Sequence, residues 1–147
     1  MADSFLLQKA EQAVASVLAT PAASVSATVF QGKSDDDKTI PCVIVGATSA
    51  SEDDPPFSAN KWITVEVTCK YTALPELAED TVDLSNTLTA TIQDALRDDA
   101  FASSLSSAVS GFHCYCVMYD GESRETDDSN WFETYSMRLY CCAKDSA

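Results

Sequence analysis

Six cysteines and one histidine are the residues of this chain best suited to chemistry, and they are unevenly placed. "FHCYCVMYDG" (Phe112 to Gly121) sets His113 beside Cys114 and Cys116, and "RLYCC" adds Cys141 and Cys142. Such a cluster suits a metal site, a disulfide framework, an activated nucleophile or an ordinary piece of sheet. Zinc sites built from cysteine usually come as C-x₂₋₄-C knuckles with a turn between ligands. The chain has C-x-C and C-C, and no C-x-x-C. On a strand, alternate residues share a face. Phe112, Cys114, Cys116 and Met118 then point to one side, and His113, Tyr115, Val117 and Tyr119 to the other. His113 is thereby turned away from the thiols it would have to activate. The adjacent Cys141 and Cys142 diverge. The cysteines are expected to pack as small apolar residues, with Cys114 near Cys141 or Cys142 if the two segments form a hairpin.

Carboxylates form the second grouping. Asp35, Asp36 and Asp37 lie in "KSDDDK", and Glu52, Asp53 and Asp54 in "SEDDPP". Asp120, Glu122, Arg124, Glu125, Asp127 and Asp128 lie in "DGESRETDDSN". None matches the twelve-residue calcium loop with its central glycine and terminal glutamate. All three read as loop tips between strands, gathered into a negative rim that would serve as an interface or line an opening. There is no G-x-S-x-G, no phosphate-binding glycine loop and no H-E-x-x-H. No catalytic residue, metal ligand or cofactor site is assigned.

The elements that must position these groups follow from periodicity. Residues 4–19 carry apolar side chains at helical spacing, with Pro21 as the expected stop. "SVSATVFQG" reads as a short strand ending at Gly32, and "TIPCVIVGA" as a second strand. "TSASEDDPPFSAN" reads as a polar loop. "KWITVEVTCKY" reads as the clearest strand, with Ile63, Val65, Val67, Cys69 and Tyr71 on one face and Thr64, Glu66, Thr68 and Lys70 on the other. A long helix is expected from Thr81 to Arg97 on the stripe Leu84, Leu88, Ile92 and Leu96, with Asp80 and Asp83 near its N-terminal end. A further helical turn precedes Gly111. Strands 112–119 and 131–143 form a closing hairpin around the loop Asp120 to Asn130.

This order predicts a single α+β domain over residues 1–147. It would be a mainly antiparallel sheet, with an N-terminal helix and one long helix packed on one face, closed by a C-terminal β-hairpin. A chain of 147 residues buries roughly 68–70% of its unfolded surface without staples. Hydrophobic residues make up 46%, and the mean hydropathy of −0.07 fits a globular fold. The first 22 residues lack a basic leader and carry Asp3 and Glu11, so the expectation is folding in a reducing cytoplasm with free thiols. No stretch approaches the ~20 apolar residues of a membrane span. Nine Lys and Arg against 23 Asp and Glu give −14, a poor balance for gripping a phosphate backbone.

In element order the chain resembles the tail terminator (tail-completion, minor tail) proteins of long-tailed bacteriophages. The likeness rests on "ATPAA" closing the first helix, the strand "IPCVIVGA", "NKWITVEVTCKYTA", the acid-capped "DTVDLSNTLTATIQDAL" and the aromatic re-entry "NWFETYSMRLYCCA". The resemblance implies a structural virion protein of the tail or neck, made in the host cytoplasm and without enzymatic activity. Such proteins form a ring, typically a hexamer, on the head-proximal end of the tail tube. The ring ends tube polymerisation and meets the head-completion (stopper) protein. DNA passes through without specific binding. Six chains at −14 each carry −84, so ring contacts would need apolar surfaces or the bases Lys9, Lys61, Lys70 and Arg138. Other virion parts (connector, tube or decoration proteins) share the same signals. A small cysteine- or metal-dependent enzyme is the remaining alternative.

Overall fold

The computed structural model describes residues 2–25, 27–32, 42–51, 61–72, 88–126 and 130–142. Its elements are α1 (Ala2–Ser24), β1 (Thr28–Gln31), β2 (Cys42–Ser51), β3 (Lys61–Thr72), α2 (residues 88–96), α3 (Phe101–Ala108), β4 (His113–Thr126) and β5 (Asn130–Cys142). The strands form one sheet in the order β1-β2-β3-β5-β4. β1 runs parallel to β2, while β2–β3, β3–β5 and β5–β4 are antiparallel.

The sheet is therefore mixed, and the helical content of the described residues is divided among three segments. This corrects the expectation of a mainly antiparallel sheet under one long helix. Local periodicity identifies β1 as a strand but carries no information about its partner's direction. The expected helix from Thr81 to Arg97 is described only over residues 88–96, and Leu84 with the acids before it lies outside the described residues. A turn follows, in which the Asp98 side chain accepts from Ala100 N–H at 2.8 Å, and α3 then starts afresh.

α1 is the longest helix, at 23 residues. Leu6, Ala10, Ala13, Val14, Leu18 and Ala22 form its buried stripe. It runs past Pro21, contrary to expectation. A proline in the last turn removes a single backbone bond, and burial of Ala22 favours the continued turn. Two contacts, from neighbouring turns, fix α1 against the sheet and the α3–β4 corner. Glu11 accepts the Ala47 N–H at 3.0 Å, beside a bulge between Ala47 and Ser49. Lys9 Nζ donates to the Gly111 carbonyl at 2.9 Å. Gly111 has φ +75°, a left-handed turn that suits glycine and lets the chain leave α3 for β4.

One contiguous core joins these helices to one sheet face. Val43 and Val45 of β2, Ile63, Val65 and Val67 of β3, and Met137 and Leu139 of β5 meet Leu88, Ile92, Leu96, Phe101 and Leu105. Among the described residues no helix lies on the opposite face, which carries Thr64, Glu66 and Thr68 of β3 and Thr134, Ser136 and Arg138 of β5. Thr68 and Thr134 hydroxyls meet there at 3.1 Å. No helix among the described residues is long and apolar enough to cross a membrane.

Candidate interaction surface

β4 is an edge strand of 14 residues, and it contains His113, Cys114 and Cys116 together with Asp120, Glu122, Arg124 and Glu125. Its pairing with β5 is interrupted twice. The register passes from Cys114↔Cys141 to Cys116↔Tyr140, which leaves Tyr115 as an extra residue. It passes again from Tyr119↔Met137 to Gly121↔Ser136, which leaves Asp120 extra. Each β-bulge reverses the alternation of side chains along the strand. Cys114 is consequently buried and Cys116 exposed, so the two thiols do not share the apolar face that simple alternation assigned them. Met118 and Tyr119, at 46% and 38%, are the exposed large hydrophobic residues among those described.

The cysteines stand as separate free thiols. Cys142 opposes His113, and its sulfur lies 3.6 Å from the Tyr115 hydroxyl. Burial pushes the Cys114 thiol up to about 12. Burial also raises Cys141 and Cys69, the latter with help from the Glu133 carboxylate. Thiols so held are protonated at neutral pH, whereas nucleophiles and metal ligands need the thiolate. Among the described residues, no three His, Cys, Asp or Glu side chains converge on a metal position.

The acidic positions divide in two. Asp35, Asp36, Asp37, Glu52, Asp53, Asp54, Asp127 and Asp128 lie outside the described residues. Asp120, Glu122, Arg124 and Glu125 belong to β4, and Glu125 and Thr126 oppose Phe132 and Trp131. The loop expected from Asp120 to Asn130 is therefore strand over most of its length. Its Asp, Gly and Ser content disfavours a strand, and the twelve-residue partner from Trp131 imposes one.

Three of these strand residues are engaged. The Asp120 carboxylate accepts Arg138 Nε at 3.1 Å. Glu122 accepts Gln93 Nε2 at 3.2 Å. Arg124 pairs with Glu133 at 2.6 Å. Glu133 also accepts the Tyr135 hydroxyl at 3.1 Å, and Tyr135 receives Gln93. Sequence reasoning missed Glu133 and Tyr135. The signal was present: Glu133 is the one charged residue in the series 133, 135, 137, 139, 141, which alternation turns inward. Bases expected to serve ring contacts are used within the chain as well. Lys9 holds Gly111, Arg138 holds Asp120, and Lys61 and Lys70 are 9% and 8% exposed.

The sheet face without a described helix carries two further features. Trp62, Tyr140, Tyr115 and His113 form an aromatic row with centroid separations of 5.0, 5.5 and 4.6 Å. Arg138 lies over Trp62 at 5.4 Å. A shallow concavity of about 540 Å³ lies along the second half of β4, lined by Glu66, Asp120, Glu122 and Glu125 with Thr134 and Ser136. The arrangement is an acidic, hydroxyl-bearing surface that runs out to an edge strand. It offers backbone pairing, aromatic contact and negative charge. No family model and no curated protein matches the chain.

Proposed function

We propose that the chain is a structural virion protein that assembles into a ring at the head-proximal end of a phage tail tube. In this reading it stops tube growth, joins tail to head and lets DNA pass. The observation that carries the reading is the pair of unlike sheet edges. β1 is four residues long and uncharged, while β4 is long, twice bulged and acidic. Unlike edges favour head-to-tail contacts between copies, and such contacts close into rings when the rotation permits. Exposed Met118 and Tyr119 supply apolar contact where a neighbour would add to the β4 edge. The charge of −14 suits a conduit, because a negative lining repels the duplex. Resemblance in element order to tail terminators supports the choice among virion roles.

Negative-stain imaging and native mass measurement of the purified chain test the assembly, with a six-membered ring expected. A monomer at every concentration, with tube and stopper proteins present, would sink it. In a phage lacking the protein, tails should overgrow and filled heads should remain unjoined. Tails of normal length joined to heads would exclude the role.

A further inference from the structure

Cys114 and Cys141 are the one pair of cysteines that oppose each other in the register of the described strands. Cys42 opposes Lys70, Cys69 opposes Val43, Cys116 opposes Tyr140 and Cys142 opposes His113. Both members of the pair lie on the helix-covered face, 4% and 0% exposed.

The backbone of Cys114 settles what kind of pair this is. Its N–H donates to Ser106 Oγ of α3 at 2.9 Å, and the same hydroxyl lies 3.3 Å from its carbonyl. In a strand these two groups of one residue point the same way. Here both are turned to α3 and away from β5. Cys114 and Cys141 thus form a non-hydrogen-bonded pair, the closer of the two antiparallel types, with Cα atoms about 4.5 Å apart. A disulfide spans Cα separations of about 4.4–6.8 Å. Neither sulfur is tied by a strong interaction. Cys114 Sγ donates to the Cys116 carbonyl at 3.4 Å, and Cys141 Sγ to the Leu139 carbonyl at 3.8 Å.

We propose that Cys114 and Cys141 are a latent cross-strand disulfide, open as thiols in a reducing medium and closed by a low-molecular-weight disulfide in an oxidising one. Closure staples the edge strand to its neighbour at the α3–β4 corner. One thiolate of the pair attacks the reagent R–S–S–R, forming a mixed disulfide and releasing RS⁻. The second attacks the protein sulfur and expels another RS⁻. The two protons lost by the cysteines are taken up by the two leaving thiolates, so the chain is oxidised by two electrons and the reagent reduced by two. Burial makes the step slow and gates it by opening of α3 from β4.

The test uses the full chain carrying Cys116→Ser, so that the exposed thiol does not consume reagent. Oxidised glutathione is added at mildly alkaline pH in low urea, followed by denaturing alkylation, intact mass and peptide mapping. The expected product has lost two hydrogens, bears no glutathione and yields a 114–141 linked peptide. Its melting temperature rises and returns with dithiothreitol. Cys114→Ala and Cys141→Ala, each alone, should abolish both the link and the rise. The proposal is overturned if both thiols remain open to alkylation after incubation with oxidised glutathione for a time and at a urea concentration at which iodoacetamide alone reaches both. Separate glutathione adducts, or a different pairing such as Cys141–Cys142, would overturn it equally.

Discussion

Arg124→Ala tests whether the second half of β4 is a strand, because the Arg124–Glu133 ion pair requires it. The Arg124 side chain is 54% exposed and that of Glu133 12%. Solvent-exposed pairs contribute about 0.2–1 kcal/mol, whereas stranding a buried charge costs about 3–5 kcal/mol. This pair lies between those cases. Removing the arginine leaves a nearly buried carboxylate with the Tyr135 hydroxyl as a remaining donor, and a cost of about 2 kcal/mol is expected. Glu133→Gln keeps an acceptor for Tyr135 and releases Arg124 to water, so it should cost about 1 kcal/mol. The double variant should cost about 2 kcal/mol, a coupling of about 1 kcal/mol. Urea unfolding followed by tryptophan fluorescence reads these differences at one fixed protein concentration, since association would shift the midpoint. A cost for Arg124→Ala below about 0.3 kcal/mol, with the two substitutions additive, would mean that the chain leaves the sheet before Arg124.

Other expectations follow from the same packing. Ile92→Ala should cost about 2–5 kcal/mol, while Asp94→Lys on the exposed side of α2 should change stability by less than about 0.5 kcal/mol; equal effects would invalidate the assigned face of α2. Replacing Asp120–Asn130 by a two-residue turn should abolish cooperative unfolding, because it removes the β4–β5 pairs from Gly121 to Thr126; a folded product would restore the loop reading. Stability should be fully present below pH 9.0 and fall as pH rises toward about 12, since the unfolded chain releases thiol protons that buried Cys114 retains. Cys69 and Cys141 act in the same direction. A Cys69→Ala variant should show a shallower alkaline decline by urea titration, and an unchanged slope would contradict the burial argument.

β3 was legible because the ten residues from Ile63 to Thr72 alternate without interruption, with Ile63, Val65, Val67, Cys69 and Tyr71 on one face. α1 was legible by its stripe, though its end was misplaced at Pro21, where packing of Ala22 outweighs one missing backbone bond. The far half of β4 was not legible. Aspartate, glycine and serine signal turns when the chain is considered alone, and only the partner strand reveals their pairing. The bulge at Tyr115 was hidden for a related reason: alternation assumes one residue per step of the pleat, and an extra residue sends Cys116 to the other face. The parallel placement of β1 depends on how the chain crosses between two strands, which no local pattern records. Of the positions marked as candidate surface, the four in β4 (Asp120, Glu122, Arg124 and Glu125) proved to be strand residues.

The two extra residues also limit what can grow on this edge. Fourteen positions of β4 lie against the twelve from Trp131 to Cys142. A chain without Tyr115 and Asp120 would set twelve against twelve and present a flat, continuous ribbon of unpaired amides. Such a ribbon is a general template: any extended polypeptide, including a half-unfolded copy, could add to it and leave a fresh ribbon for the next. The kinks deny that template its regularity, so a neighbour must be shaped to them to bind. The kinks thus separate selective contact from open-ended stacking of strand on strand.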